Sequence, residues 1–403
     1  MDNVYSRSLE LHRLIHGKLG ITPRSPVLTR EQLTLMYTPG VAEACREIAR
    51  DPAQAYELTI KRNTVAIVTD GSRVLGLGNI GPLAALPVME GKAVLFKTWA
   101  DIDAFPICLD TQDTEAIIET VRRIAPVFGG INLEDIASPR CFEIERRLQD
   151  LGIPVFHDDQ HGTAIVIAAA VFNAARVLGR QMGDLRVVIA GAGAAGSAAA
   201  RLLTGADGRD VAGRLQPVAE LLVCDRHGIL SADRADLTDE KRSLLEFTNR
   251  SHRTGTLGDA MTGADVFIGV SGPRLITADD VRRMAADPVV LALANPEPEI
   301  APDEATAGGA AIVGTGRSDW PNQVNNVLAF PGIFRGALDA RATRITPAMT
   351  IAAVLALADA VPAPDRLHIL PDAFDRAVAP LVARAVSAAA GTTERPHEPG
   401  LPS

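Results

Sequence analysis

The chain has 403 residues, 47% of them apolar and 22% charged, the composition of an ordinary globular protein of two or three domains. A net charge of −9 argues against a general surface for nucleic acid or anionic membrane, while leaving room for a local basic pocket. No run approaches the ~18 apolar residues of a membrane span, and Met1–Tyr5 lacks the basic start of a secretory leader. Cys45, Cys108, Cys141 and Cys224 form no Cys-x-x-Cys pair, so buried free thiols and a cytoplasmic location are expected.

In chain order, Leu9–Leu19 carries apolar residues at helical spacing and stops at Gly20. Tyr37-Thr38-Pro39-Gly40 reads as a turn before a helix from Val41, with the tyrosine half buried by its ring. Thr64–Thr69 is a β-branched strand ending at Asp70-Gly71. Arg73 and the glycine-rich Leu75–Pro82 follow, without the Gly-Lys-Ser/Thr of a phosphate-binding P-loop. Lys92 precedes Ala93-Val94-Leu95-Phe96, a predicted buried strand. It either snorkels to solvent or, buried near a cation, has a lowered pKa and serves as a base. Ile107–Asp110 reads as a strand, and Asp113–Ile124 and Ser138–Leu151 as helices. Ile153–Phe156 is a further strand, leading through His157-Asp158-Asp159-Gln160-His161-Gly162-Thr163 into a buried helix, Ala164–Val177.

Acids recur where apolar strands end, at Asp70 and at the adjacent pairs Glu134-Asp135 and Asp158-Asp159, and three such ends in series point to a shared site. A carboxylate beside a core must be paired, protonated or bound to a cation, so four together point to a hard-cation site. Open α/β sheets bind ligands at these strand ends.

Leu185–Ala190 starts a second pattern. It runs into Gly191-Ala192-Gly193-Ala194-Ala195-Gly196 and a small-residue helix, Ala198–Leu203, which is Gly-x-Gly-x-x-Gly between strand and helix. There the glycines allow the turn, the approach of a pyrophosphate and close helix–strand packing. Leu221–Asp225 is the next strand. Asp225 at its tip suits a ribose hydroxyl, and the neighbouring Arg226 suits a 2′-phosphate equally well. Strands at Asp265–Val270, Val289–Ala294 and Ile312–Gly316 continue the doubly wound order, and Arg344–Leu357 and Asp372–Ala389 read as helices. The predicted organisation is α/β: an N-terminal α/β substrate and metal domain over residues 1–155, and a Rossmann-type dinucleotide-binding domain with C-terminal helices over 156–390. A disordered tail over 391–403 completes it.

Taken together, Tyr37–Ala42, Asp70–Pro82, Glu90–Phe96, Gly129–Asp135, Phe156–Ala164, Gly191–Gly196, Ala292–Pro296, Gly316–Asp319 and Gln323–Asn326 resemble the malic enzyme family in its short bacterial form. The resemblance implies oxidative decarboxylation of (S)-malate to pyruvate and CO2, with NAD or NADP and Mg²⁺ or Mn²⁺. It assigns the metal to Glu134, Asp135 and Asp159, the base to Lys92 and the acid that protonates C3 to Tyr37. Asp158 is then the acid that tunes Lys92, Arg73 binds a substrate carboxylate, and Asn295 and Asn326 line the substrate and nicotinamide region. Glycines 191, 193 and 196, with Ala192, Ala194, Ala195 and Asp225, hold the dinucleotide. A homodimer sharing active-site residues between protomers is also implied. Lys61-Arg62-Asn63, Ala84–Pro87 and Trp99–Asp101 depart from the family pattern, none on a proposed catalytic residue. A non-decarboxylating dehydrogenase would not need two acidic pairs, and a catalytically dead nucleotide-binding module would not need Tyr37 and Lys92.

Overall fold

The structure, a computed structural model, describes residues 4–210 and 212–391. The tail expected from residue 391 lies, from 392 onward, outside the described residues.

Two parallel sheets organise the chain, and continuous apolar runs make their strands suited to cover on both faces. The first contains β1 (Thr64–Thr69), β2 (Asp103–Cys108), β3 (Gly130–Leu133) and β4 (Val155–His157), in the order β2-β1-β3-β4. Its register pairs Leu133 with His157. Glu134 and Asp158, the next residues along, therefore leave the sheet side by side.

The second sheet contains β5 (Arg186–Ala190), β6 (Glu220–Asp225), β7 (Gly228–Ile229), β8 (Val266–Gly269), β9 (Val289–Ala292) and β10 (Ile312–Thr315), ordered β10-β9-β8-β5-β6-β7. Only β7 runs antiparallel. The strand order reverses direction at β5, between β6 and β8, and such a switch point opens a crevice at the carboxyl ends of the strands.

Several sequence expectations change. Ala93–Phe96 is not a strand but part of a twenty-residue helix, Gly81–Ala100. Ala85, Met89, Lys92, Ala93, Phe96 and Ala100 are its buried residues, a 3–4-residue spacing that a four-residue apolar window does not reveal. The expected domain boundary at 155/156 cuts through β4, which belongs to the N-terminal sheet. The last two helices run over Pro347–Asp359 and Val378–Ala390.

A further helix, Phe330–Asp339, was not anticipated because Pro331, Gly332 and Gly336 weaken its helical signal. Those glycines admit the Val378–Ala390 helix: a Cβ at Gly332 would stand 2.7 Å from Val382 Cβ. The same helix returns to the N-terminal domain, where Phe330 and Phe334 pack edge-on against Phe96 at 4.7 and 5.4 Å. Phe156 meets Phe334 at 5.9 Å. Each of these rings is fully buried, which contributes about 1.5–3 kcal/mol apiece and joins the two domains behind the strand ends.

Candidate active site

The turn after β4 holds two of the four acids. Asp158–Gly162 forms one π-helical turn that runs directly into the buried helix Thr163–Val177. Gly162 is required there, because the Asp158 carboxylate packs on its Cα where a side chain would collide. From behind, Glu145 anchors the turn, accepting from the His157 backbone N–H at 3.0 Å and contacting His161 Nε2 at 2.9 Å. His157 is enclosed completely, and burial pushes its pKa down to about 4, so the ring is neutral.

The other two acids follow β3. Asp135 takes a left-handed conformation, φ +54°, which aspartate tolerates better than most residues. Its backbone N–H donates to Asp159 Oδ2 at 2.7 Å. Asn132, two residues before Glu134 and so on the same face of the strand path, donates to Glu134 Oε2 at 2.8 Å. Sequence reading missed Asn132, although this two-residue spacing was available to find it.

Lys92 stands between the acidic pairs. Its ammonium donates to Glu134 Oε1 at 2.9 Å and makes a shorter contact with Asp158, and it lies 4.1 Å from the Phe330 ring centre. Asn326 donates to the same Asp158 oxygen at 2.6 Å. Lys92 is therefore buried rather than snorkelling. Burial opposes its charge, but the facing Asp158 and Glu134 carboxylates outweigh that and raise its pKa above the usual lysine range. The resting ammonium is thus an ion-pair partner that must shed its proton before it can act as a base. Burial first, then Asp159 and Glu134, push Asp135 up to about 9. Such crowding of buried negative charge calls for a cation.

Among the described residues, no three His, Cys, Asp or Glu side chains form a preassembled cage. Glu134 is turned toward Lys92, and Asp159 toward the Asp135 amide. Asp135 Oδ2 and Asp158 Oδ1 are nevertheless buried without hydrogen-bond partners. An all-oxygen donor set with an orphaned carboxylate oxygen suits Mg²⁺ or Mn²⁺.

These groups border a cavity of about 1170 Å³ between the sheets. Arg73, Lys92, Glu134, Asp135, Asp159, Asn295 and Asn326 line it, as do Gly193, Ala194 and Ala195 from the glycine turn. Sequence reading missed the turn Val270–Pro273, which also lines it, because nothing local marks those residues. Gly191 has φ +127°, and the helix Ala194–Thr204 starts directly behind the turn, its N-terminal amides free for a pyrophosphate. A Cβ on Gly196 would fall onto the Gly191 carbonyl, which explains the third glycine.

Asp158, Gly191, Ala192 and Gly196 adjoin the lining without forming part of it, and three further expected residues stand apart from the site. Asp70, expected to join a shared acidic site, is buried beneath the next loop, accepting from the Ser72 amide at 2.9 Å and pairing with Arg140. Asp225 accepts from Arg234 at 2.8 and 3.0 Å, from Lys241 at 2.6 Å and from the His227 amide at 2.9 Å. These four bonds occupy the lone-pair positions expected for a ribose hydroxyl. Tyr37 is 67% exposed rather than half buried, and it lies outside the cavity wall.

Residues 16–149 match the malic enzyme N-terminal domain and residues 160–390 the malic enzyme NAD-binding domain. The chain is 50% identical to an NAD-dependent malic enzyme of Geobacillus stearothermophilus, over 99% of this chain and 82% of that one. An NADP-dependent malic enzyme of Halomonas elongata is also 50% identical, over 92% of this chain and 85% of the other. The crystal structure of the NAD-dependent malic enzyme from Thermotoga maritima superposes with a TM-score of 0.89 at 47% identity, covering 94% and 98% of the two chains. With two family domains in order, and a lysine–carboxylate cluster facing a dinucleotide turn across one cavity, the chain belongs to the malic enzyme family.

Proposed function

We propose that this chain oxidises (S)-malate and decarboxylates it to pyruvate and CO2, reducing NAD⁺ or NADP⁺ with a divalent metal present. The observation that carries the reading is Lys92, buried between Asp158 and Glu134 on the wall of a cavity that also reaches the turn Gly193–Ala195. Arg73, beside Asp159, offers a planar guanidinium for a substrate carboxylate. Lys92 accepts the C2 hydroxyl proton while hydride leaves C2 for the nicotinamide. The C3–C4 bond of the resulting β-keto acid then breaks, CO2 departs, and its electron pair passes into the enolate of pyruvate. A proton from Tyr37 at C3 completes the product. Asp158, itself held by Asn326, keeps Lys92 aimed at the substrate.

Glu134, Asp135 and Asp159 would hold the metal. When bound, it supplies positive charge that offsets the carboxylates retaining the Lys92 proton and polarises the substrate oxygens.

Tyr37 lies outside its own chain's cavity, so this reading takes it from a second copy. The helices Val4–Ile15, Arg30–Met36, Val41–Arg50 and Ala55–Leu58 contain no buried residue. They expose Leu14 at 77% and Leu35 at 66%, and Leu28, in the connection before the second of them, is 79% exposed. An apolar surface of this kind suits a homodimer interface that brings Tyr37 to the partner's Lys92. Cysteines 45, 108, 141 and 224 are all free, which suits the reducing cytoplasm, but only Cys141 and Cys224 are buried as expected, with Cys108 half-buried and Cys45 exposed. The test is malate-dependent reduction of NAD⁺ and of NADP⁺, with and without Mn²⁺, with pyruvate quantified. Absence of pyruvate with both cofactors refutes the reading.

A further inference from the structure

Glu299 is a carboxylate that the proposed chemistry does not use. It is completely buried, 0% exposed. Its Oε1 accepts from the Ser271 amide at 3.0 Å and its Oε2 from the Ala294 amide at 3.0 Å. Its own carbonyl accepts from Leu275 at 2.7 Å and Ile276 at 3.2 Å. Burial raises its pKa, and backbone amides, rather than a counter-ion, oppose that rise. A carboxylate enclosed without a cation is costly, so its geometry calls for a reason.

The two amides belong to different turns. Val270–Pro273 follows β8 and Leu293–Glu297 follows β9, and both line the cavity. The first abuts the dinucleotide turn, where a Cβ on Gly191 would stand 2.9 Å from the Val270 carbonyl oxygen. The second abuts the N-terminal domain, where a Cβ on Gly76 would stand 2.8 Å from the Asn295 carbonyl oxygen. Gly269, at the end of β8, lacks a side chain because the Glu299 carboxyl packs on its Cα. One carboxylate thus ties a turn on the cofactor side to a turn on the substrate side.

We propose that Glu299 is a positioning residue: by holding the Ser271 and Ala294 amides at one spacing, it sets the gap across which hydride passes between substrate and dinucleotide. The inference rests on the malate-oxidising reading above. Hydride transfer requires the reacting atoms about 3–3.5 Å apart, so small displacements of either turn lower the rate steeply. Glutamine would keep the volume but turn an amide N–H₂ toward one of the two backbone donors, breaking one tie. Aspartate would keep the charge on a shorter arm.

The experiment compares wild type, Glu299→Gln and Glu299→Asp as full-length chains with Mn²⁺, using malate and malate deuterated at C2. Glu299→Gln should lower kcat/KM by about ten- to a hundredfold, raise the KM for the dinucleotide and enlarge the deuterium isotope effect, with partial recovery in Glu299→Asp. A purely structural role would lower the melting temperature and the active fraction while leaving KM and the isotope effect as in wild type, and that result overturns the proposal. If Glu299→Gln unfolds at the assay temperature, Glu299→Asp carries the same comparison. If wild type fails to oxidise malate, the functional reading falls separately. Dinucleotide affinity by calorimetry then decides on Glu299: about tenfold weakening in Glu299→Gln supports the tie, and unchanged affinity overturns it.

Discussion

Replacing Lys92 with arginine separates the charge of this residue from its basicity. The ammonium holds Asp158 and Glu134, and removing it altogether, as in Lys92→Ala, would leave Asp158 with Asn326 as its remaining side-chain partner. Breaking a buried ion pair in that way costs about 3–5 kcal/mol of stability. Arginine keeps the positive charge, and Lys92 borders a cavity of about 1170 Å³ that accommodates the longer side chain. Its guanidinium does not deprotonate at any working pH, so it cannot take the C2 hydroxyl proton. The loss expected for removing a general base is about 10²–10⁴-fold in kcat, or about 3–5 kcal/mol of barrier. Lys92→Arg should therefore melt close to wild type and bind the dinucleotide normally, since the Lys92 ammonium is bonded to Glu134 and Asp158 rather than to the glycine turn. Its malate-dependent reduction of the cofactor should nevertheless fall by at least about a hundredfold. The assay is initial-rate kinetics with both substrates varied, beside a thermal melt and a dinucleotide titration. If Lys92→Arg keeps activity within tenfold of wild type, the lysine acts through its charge and the assignment as base is wrong.

Tyr37→Phe and Lys92→Ala should each be nearly inactive alone, yet chains refolded as a mixture should regain activity, because a mixed dimer holds one intact site. A mixture as inactive as its components would place Tyr37 in its own chain's site. Asp159→Asn should raise the Mn²⁺ concentration needed for half-maximal rate by at least about tenfold, since losing a charged ligand weakens a hard-cation site. An unchanged Mn²⁺ titration would move that ligand role elsewhere. Asp225 supplies a pH signature. Burial opposes its charge, but hydrogen bonds from Arg234, Lys241 and the His227 amide outweigh it and hold the carboxyl at about 2. Relative to an unfolded aspartate at about 4, and discounted for solvent screening, this contributes at most about 1 kcal/mol, present above about pH 4 and lost as pH falls toward 2. Asp225→Asn should thus destabilise the fold by up to that amount at pH 7 and by little near pH 2. Equal denaturation midpoints at pH 7 would contradict the ion-pair account.

Strand identity was legible wherever an apolar run was bounded by turn residues, as at Thr64–Thr69 and Leu221–Asp225. Parallel strands buried on both faces announce themselves by composition alone. The glycine turn was legible because each glycine answers a local demand: φ +127° at Gly191, and a carbonyl against the Cα of Gly196. The segment around Lys92 was not, because four apolar residues suit a strand and a buried helix equally, and only packing against Phe330 and Phe334 decides between them.

By itself, the order of residues determined two α/β units, the dinucleotide turn and the pairing of acids at strand ends, since these are local patterns of hydrophobicity, glycine and charge. Tertiary structure alone decided which groups meet. The parallel register of β3 and β4 sets Glu134 beside Asp158, and a helix from a distant part of the chain slots Lys92 between them. It also left Tyr37 facing outward and occupied Asp225 with Arg234 and Lys241, more than eight residues away in sequence. Charge neutralisation in a buried site is settled by distances between segments, and spacing along a chain does not encode those distances.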